Sequence, residues 1–265
     1  MQARKQKEKE FHNQKIEAKT GVETTCRHLG FREKFYHATR RSQIFVHQWI
    51  LRRCQGKIVL DYGCGSGSIT YFIAEKGANL AVGIDISDTS IEAANKRHNR
   101  EGASSRTCFV LMDAERLGFT DSSFDIINCH SILHHLDIQR AYSELARVIK
   151  PNGEIICNEP LAYNPIIQCY RRMTPKLRTR WEIEHMLDRE SIALANKYFG
   201  NVQTRFFGLA TLVAAPLYGL PGFNYMLKLM EFIDSLFLRL PGLKWLAWQI
   251  IIVLSQPRTR PSGRI

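Results

Sequence analysis

The residues best suited to chemistry begin with Asp61-Tyr62-Gly63-Cys64-Gly65-Ser66-Gly67, which follows the apolar run Ile58-Val59-Leu60 and opens a helical stretch. Strand, glycine turn and helix in that order form the context of a nucleotide-binding loop. The glycines alternate as GxGxG behind an acid, unlike the GxGxxG that cradles a pyrophosphate. Asp61 would repel a phosphate and suits an ammonium group. Asp85 closes the next β-rich run, Leu80–Asp85, where a carboxylate can accept hydrogen bonds from both ribose hydroxyls. Asp113 closes a third run, in Leu111-Met112-Asp113-Ala114, and can accept from an exocyclic amino group such as that of adenine. Three acids at successive strand ends converge on the crevice where open α/β sheets bind ligands.

The elements that position these acids are legible as an alternation. KIVLD, LAVGID, CFVLMD, FDIINC and GEIICNE are short β-rich runs, separated by the helical stretches GSITYFIAEKG, TSIEAANKRHNR and IQRAYSELARVIK. Such alternation predicts parallel strands joined by crossover helices. A helix at about 188–198, a strand at 202–207 and the final run WQIIIVLSQ complete the pattern. The expected fold class is α/β: a Rossmann-like, doubly wound, seven-stranded, mostly parallel sheet with helical insertions. Residues 1–56 are read as a charged tail and a helix (31–54) covering the crevice, and residues 57–265 as one domain interrupted by insertions at 160–187 and 208–245.

Taken together, DxGxGxG at 61–67, GIDIS at 83–87, MDAERLGFTDSSFD at 112–125, HSILHHL at 130–136 and LARVIKPNGE at 145–154 resemble the class I S-adenosylmethionine-dependent methyltransferases. Within them the chain is most similar to the branch holding quinone C-methyltransferases and bacterial small-molecule methyltransferases. The resemblance covers roughly residues 57–160 and implies S-adenosylmethionine as cofactor. It implies that Gly63, Gly65 and Gly67 shape the loop around the methionine part and that Asp61 binds the amino group. Asp85 would hold the ribose, Ile86 would pack on adenine, and Asp113 with Ala114 would bind the adenine edge. His130 would lie beside the sulfonium, and Tyr36 would reach the cofactor from the N-terminal helix.

Methyl transfer needs a base only where the acceptor is a hydroxyl or carbon acid of high pKa. His130, at a strand end, is the first candidate, with His135 and Glu159 next; His134 reads as a packed residue at a helix start. Neither HxxxH nor a grouped acid–histidine cluster stands out, so no metal site is expected.

The formal net charge of +12 favours anionic partners without defining the fold. The seven cysteines include no CxxC pair, which argues against a disulfide framework or zinc site and for a cytoplasmic setting. The N-terminus lacks the apolar core of a secretory signal, and no apolar run reaches the ~18 residues of a membrane span. The first insertion interleaves Arg171, Arg172, Lys176, Arg178 and Arg180 with aromatic residues. It reads as a loop paired with Glu182, Glu184, Asp188 and Glu190, as a contact for an anionic acceptor, or as a nucleic-acid contact. The second insertion, 208–245, carries an apolar arc wider than a core-packed helix needs. It is expected to form a lid over an oily acceptor pocket or to meet a membrane surface or a second copy, with Phe223, Tyr225, Met226, Leu229 and Phe232 facing the pocket or the bilayer. The leading expectation is O- or C-methylation of a small, lipophilic or partly anionic metabolite. The alternatives are an RNA-modifying methyltransferase, disfavoured because no RNA-binding motif is recognisable, and a non-catalytic protein of the same fold.

Overall fold

The computed structural model describes residues 2–20, 34, 37, 40–100 and 105–258. Seven strands form one sheet: β1 (Ile58–Tyr62), β2 (Leu80–Asp85), β3 (Thr107–Leu111), β4 (Phe124–His130), β5 (Ile149–Pro160), β6 (Phe199–Phe207) and β7 (Gln249–Pro257). Their spatial order is β3-β2-β1-β4-β5-β7-β6, and only β7 runs against its neighbours. β1 lies buried between two parallel neighbours, which is why its sequence is a continuous apolar run. The strand order reverses between β1 and β4, and that switch point brings the ends carrying Asp61 and His130 together.

Helices cover both faces. Helix α1 spans Gln2–Thr20; α2 (Arg40–Leu51), α3 (Ser68–Glu75), α4 (Asp88–Arg100) and α5 (Ile138–Val148) follow. Val46, Trp49 and Ile50 of α2 and Ile73 and Ala74 of α3 pack with Ile126, Ile156 and Ile251 on one face. Ala141, Tyr142, Leu145 and Val148 of α5 pack with Ile127, Cys129 and Ile155 on the other. Asp137 starts α5 by accepting from the backbone N–H groups of Gln139 and Arg140, a cap contributing about 1 kcal/mol.

The N-terminal segment departs from expectation. The element over the crevice is α1, not the helix expected at 31–54, whose described core is α2, packed on the sheet. The first insertion folds into α6 (Pro165–Met173), α7 (Arg180–Glu184) and, just after it, α8 (Arg189–Leu194). Asn164 caps α6 through Ile167 N–H and ties it to the Leu246 carbonyl.

The second insertion forms α9 (Thr211–Ala214) and α10 (Phe223–Phe237), and the expected lid is not what it builds. Leu227 and Asp234 are the buried residues of α10; Asp234 accepts from Leu209 N–H, Ala210 N–H and the Thr211 hydroxyl, pinning the helix beside the end of β6. Tyr225 is 81% exposed, and Met226, Leu229 and Phe232 also face outward. The sequence pattern shows that the arc is wide; it does not show which side meets the sheet, and Asp234 decides that. Among the described residues no helix is long and apolar enough to cross a membrane.

Candidate active site

The glycine loop is shaped by backbone conformations that favour glycine. Gly63 and Gly67 hold φ of 81° and 79°. A Cβ on Gly63 would meet Ile132 at 2.8 Å, and one on Gly67 would meet Phe109 at 2.6 Å. The loop is locked to β2 because Gly65 N–H donates to Asp85 Oδ2 at 2.9 Å, while Ser87 N–H donates to Oδ1. Burial raises the Asp85 pKa, and these backbone donors offset part of that rise.

A cavity of about 150 Å³ opens here, lined by Gly63, Gly65, Asp85, Ile86, Asp113, Ala114, Ser131, Ile132 and His135, with Arg4, Lys5, Glu8 and His12 of α1 as its roof. Ligand pockets usually measure about 300–1,000 Å³, so α1 narrows this one. Lys5 Nζ sits on Asp113 Oδ2, and 3.0 Å from Glu115; Arg4 pairs with Glu115. Lys9 and Asn13 bind Asp88, and Asn13 also accepts from Ser87. A cationic donor therefore stands on the acid expected to receive an adenine amino group.

A second cavity, about 190 Å³, adjoins the first: His12, Ser131 and His135 line both. Its other walls include His134, Ile167, Tyr170, Arg171, Leu177, Arg178, Glu182, Trp248 and Gln249. Glu159, fully buried at the end of β5, organises this wall. One oxygen accepts from Ile132 N–H (2.8 Å) and Leu133 N–H (2.9 Å), and the other lies 2.6 Å from His134 Nδ1. A carboxylate opposite Nδ1 accepts, so Nδ1 carries the proton and Nε2 keeps its lone pair. Burial, reinforced by the charge of His135, lowers the His134 pKa against the pull of Glu159. A neutral imidazole oriented by a carboxylate is the arrangement of a general base.

Residues 60–157 match a family model described as a methyltransferase domain. Residues 60–157 thus carry a methyltransferase domain. A sterol 24-C-methyltransferase of Aspergillus fumigatus is 35% identical over 46% of this chain and 32% of its own length. A ubiquinone biosynthesis O-methyltransferase of Coxiella burnetii is 35% identical over 38% of this chain and 42% of its own. The chain thus spans less than half the length of these curated relatives. The crystal structure of the PH0226 protein from Pyrococcus horikoshii superposes with a TM-score of 0.54 at 19% identity, over 83% of this chain and 91% of that one, a likeness of fold.

Within the methyltransferase domain, Gly63, Gly65, Asp85, Ile86, Asp113 and Ala114 are brought to one cavity, as their spacing suggested. Asp61 stands behind it: 2% exposed, its oxygens accept from Thr70 Oγ1 (2.7 Å) and Asn128 Nδ2 (2.8 Å). Burial raises its pKa. Gly67 lies at the N-terminus of α3, outside the cavity lining. Tyr36 falls outside the described residues, and neighbouring His37 stacks on Tyr218.

His130 lines neither cavity. Strand alternation puts its side chain on the face of Ile126, under α2, where burial and the charge of His47 lower its pKa. Its Nδ1 and both amide atoms of Asn158 are buried without partners among the described residues. From the sequence His130 is the first candidate base and His134 a packed residue; in the structure it is His134 that lines the second cavity. Glu159 bonds His134 and does not itself line that cavity.

One cluster went unnoticed in the sequence. Glu8 and His12, four residues apart on α1, meet His135, and one ligand atom of each lies within 4.8 Å of the others. Glu8 Oε2 is 3.0 Å from His135 Nδ1, and Thr179 donates to the other Glu8 oxygen. Burial opposes ionisation of Glu8, but bonds from His135 and Thr179 outweigh it and hold its pKa below the ordinary value. Burial, with His135 and Lys15 nearby, pulls His12 down to about 3. A carboxylate and neutral imidazoles can ligate a cation; they also knit α1 to the β4–α5 connection without one. The spacing of Glu8 and His12 was the available signal, and nothing local placed His135 beside it.

Proposed function

We propose that this chain transfers the methyl group of S-adenosylmethionine to an oxygen or carbon of a small, partly lipophilic acceptor. The observation that carries this reading is the adjacency of the two cavities: a nucleoside-type cavity and a cavity bearing the His134–Glu159 pair share Ser131 and His135. The residues fit the cofactor. Asp85 offers a half-buried carboxylate to a ribose, Gly63 and Gly65 leave room at the backbone, and Ile86 supplies an apolar wall.

The cofactor supplies an electrophilic methyl group on a positively charged sulfur, so orientation carries much of the rate. His134 Nε2 takes the acceptor's proton as the methyl bond forms. Glu159 holds Nδ1–H and stabilises the resulting imidazolium. The α1 roof excludes water, and Lys5 must leave Asp113 before an adenine edge can bind there.

The outward apolar face of α10, with Lys228 and Arg239 nearby, supports a cytoplasmic protein that works at a membrane surface, where lipophilic acceptors concentrate. Self-association through the same face is the competing reading. No observation favours RNA.

Calorimetry with S-adenosylhomocysteine tests the cofactor assignment. Wild type should bind, and Asp85→Ala should lose about 1.5–3 kcal/mol, the contribution of hydrogen bonds to a charged acceptor. Unchanged affinity refutes the ribose role. Labelled cofactor with lipid and RNA fractions of cell extract tests the acceptor class, and label entering RNA alone refutes the small-molecule reading.

A further inference from the structure

Among the described residues, the second cavity contains a buried cation that forms no ion pair. Arg171 sits in the last turn of α6 and is only 6% exposed, yet it lines the cavity. Its one hydrogen bond among the described residues runs from Nη1 to the Leu161 carbonyl at 3.2 Å, and no acid lies within ion-pair distance. The neighbouring acid, Glu182, is engaged with Arg178 at 3.5 Å, and Arg178 also donates to the Thr174 carbonyl and hydroxyl. The basic side chain of α7, Arg180, is exposed and paired with Glu184. The folding of the insertion thus pairs Arg178 and Arg180 directly and leaves Arg171, among the described residues, with only the longer-range pull of Glu182.

A guanidinium withdrawn from water without a counter-charge is costly. Burial and the like charge of Arg178 pull its pKa down to about 10, so it remains a cation at neutral pH. Unused N–H donors on a planar fork in a cavity suit a carboxylate or a phosphate. Ile167, Leu177 and Trp248 supply apolar wall around it.

We propose that Arg171 is the anchor of the acceptor site and that the acceptor carries an anionic group, a carboxylate or a phosphate, which supplies the missing counter-charge. With its anion on Arg171, the remainder of the acceptor extends toward His134 and the Ser131–His135 border with the first cavity. The insertion at 160–187 thereby selects amphiphilic acceptors with a charged head. The inference rests on the methyltransferase reading, and the experiment separates the two.

Wild type, Arg171→Gln, Arg171→Lys and the exposed neighbour Arg172→Gln are titrated with inorganic phosphate and, separately, with benzoate. Melting temperature and tryptophan fluorescence report binding, and S-adenosylhomocysteine affinity is measured on each protein. One of the two anions should stabilise wild type at millimolar concentration. Arg171→Gln should weaken that anion at least tenfold, and Arg172→Gln should leave it unchanged. Arg171→Lys should retain part of a phosphate response and lose most of a benzoate response, since lysine is a point charge and not a fork. Without ligand, Arg171→Gln should melt no lower than wild type, because it removes an uncompensated charge; a sharp fall would mark Arg171 as structural and overturn the proposal. Cofactor binding intact with neither anion distinguishing wild type from Arg171→Gln also overturns it. Absence of S-adenosylhomocysteine binding in wild type overturns the underlying reading, and with it the assignment of an acceptor.

Discussion

Replacing Glu159 separates its two tasks. In Glu159→Ala, three donors, two of them fully buried, lose their acceptor: Ile132 N–H, Leu133 N–H and His134 Nδ1–H. At about 1–3 kcal/mol for each unsatisfied buried group, the loss is roughly 3–9 kcal/mol, a large share of the ~5–15 kcal/mol that holds a domain folded. Glu159→Gln is gentler. Its carbonyl oxygen must face the two backbone N–H groups, which can only donate, so its NH2 group faces His134. The imidazole then has to accept at Nδ1 and carry its proton on Nε2, the nitrogen needed as the base. The fold should survive with a loss of about 1 kcal/mol, while turnover falls about 10²–10⁴-fold, the usual range for general-base catalysis. Thermal melting gives the first quantity, transfer of labelled methyl to an acceptor-containing extract fraction gives the second, and histidine ¹⁵N shifts read the tautomer directly. Wild-type turnover in a Gln variant whose His134 tautomer has changed would refute the base assignment; an unchanged tautomer would refute the orienting role.

Lys5→Ala removes the ammonium competing for Asp113. Because the pair is partly solvated, the gain in S-adenosylhomocysteine affinity should be modest, about 0.2–1 kcal/mol or up to fivefold; weaker calorimetric binding would make Lys5 a cofactor ligand instead. His12 titrates near 3 in the folded chain and near 6.5 when unfolded. Between those values the unfolded chain binds more protons, so this contribution to stability is complete above pH ~6.5 and declines below it by up to about 1.4 kcal/mol per pH unit. Denaturant melts should show a shallower acid decline for His12→Gln than for wild type, and equal slopes would refute the buried neutral imidazole. Leu229→Asp, on the exposed face of α10, should abolish flotation with anionic liposomes while changing stability by less than about 0.5 kcal/mol; flotation that survives removes the membrane reading.

The sheet and the cofactor-side cavity were legible because local backbone demands leave marks in sequence. Ile58–Leu60 is apolar throughout because both faces of β1 are covered, and Gly63 and Gly67 stand where a Cβ would strike Ile132 and Phe109. The acids at 85 and 113 could be placed together because parallel strands end at a common edge. Other placements depend on long-range packing. Nothing in the polar sequence of α1 says that Lys5 will reach Asp113, and nothing near His134 says that Glu159, 25 positions later, will take its Nδ1 proton. Composition made α10 a lid because an apolar arc is visible without its direction, and the buried Asp234 that sets the direction reads as part of a polar stripe.

Arg171 shows this limit within a single turn. Arg171 and Arg172 are adjacent, identical in type and equally suited to a solvated basic loop. On a helix they point about 100° apart. Arg171 shares a face with Ile167, four residues earlier, and these two are the buried residues of α6. Once Ile167 is drawn inward beside Leu212 and Ala215, helical geometry carries Arg171 into the cavity and leaves Arg172 in water. An apolar contact on one side of the insertion thus selects the cation that faces the acceptor, while Glu182 and Glu184 of α7 take up its neighbours Arg178 and Arg180. Specificity for a charged head group is consequently a property of how the insertion packs. Ile167→Ala should weaken anion binding although residue 167 carries no charge, with S-adenosylhomocysteine affinity preserved, and calorimetry on that one variant checks both halves of the statement.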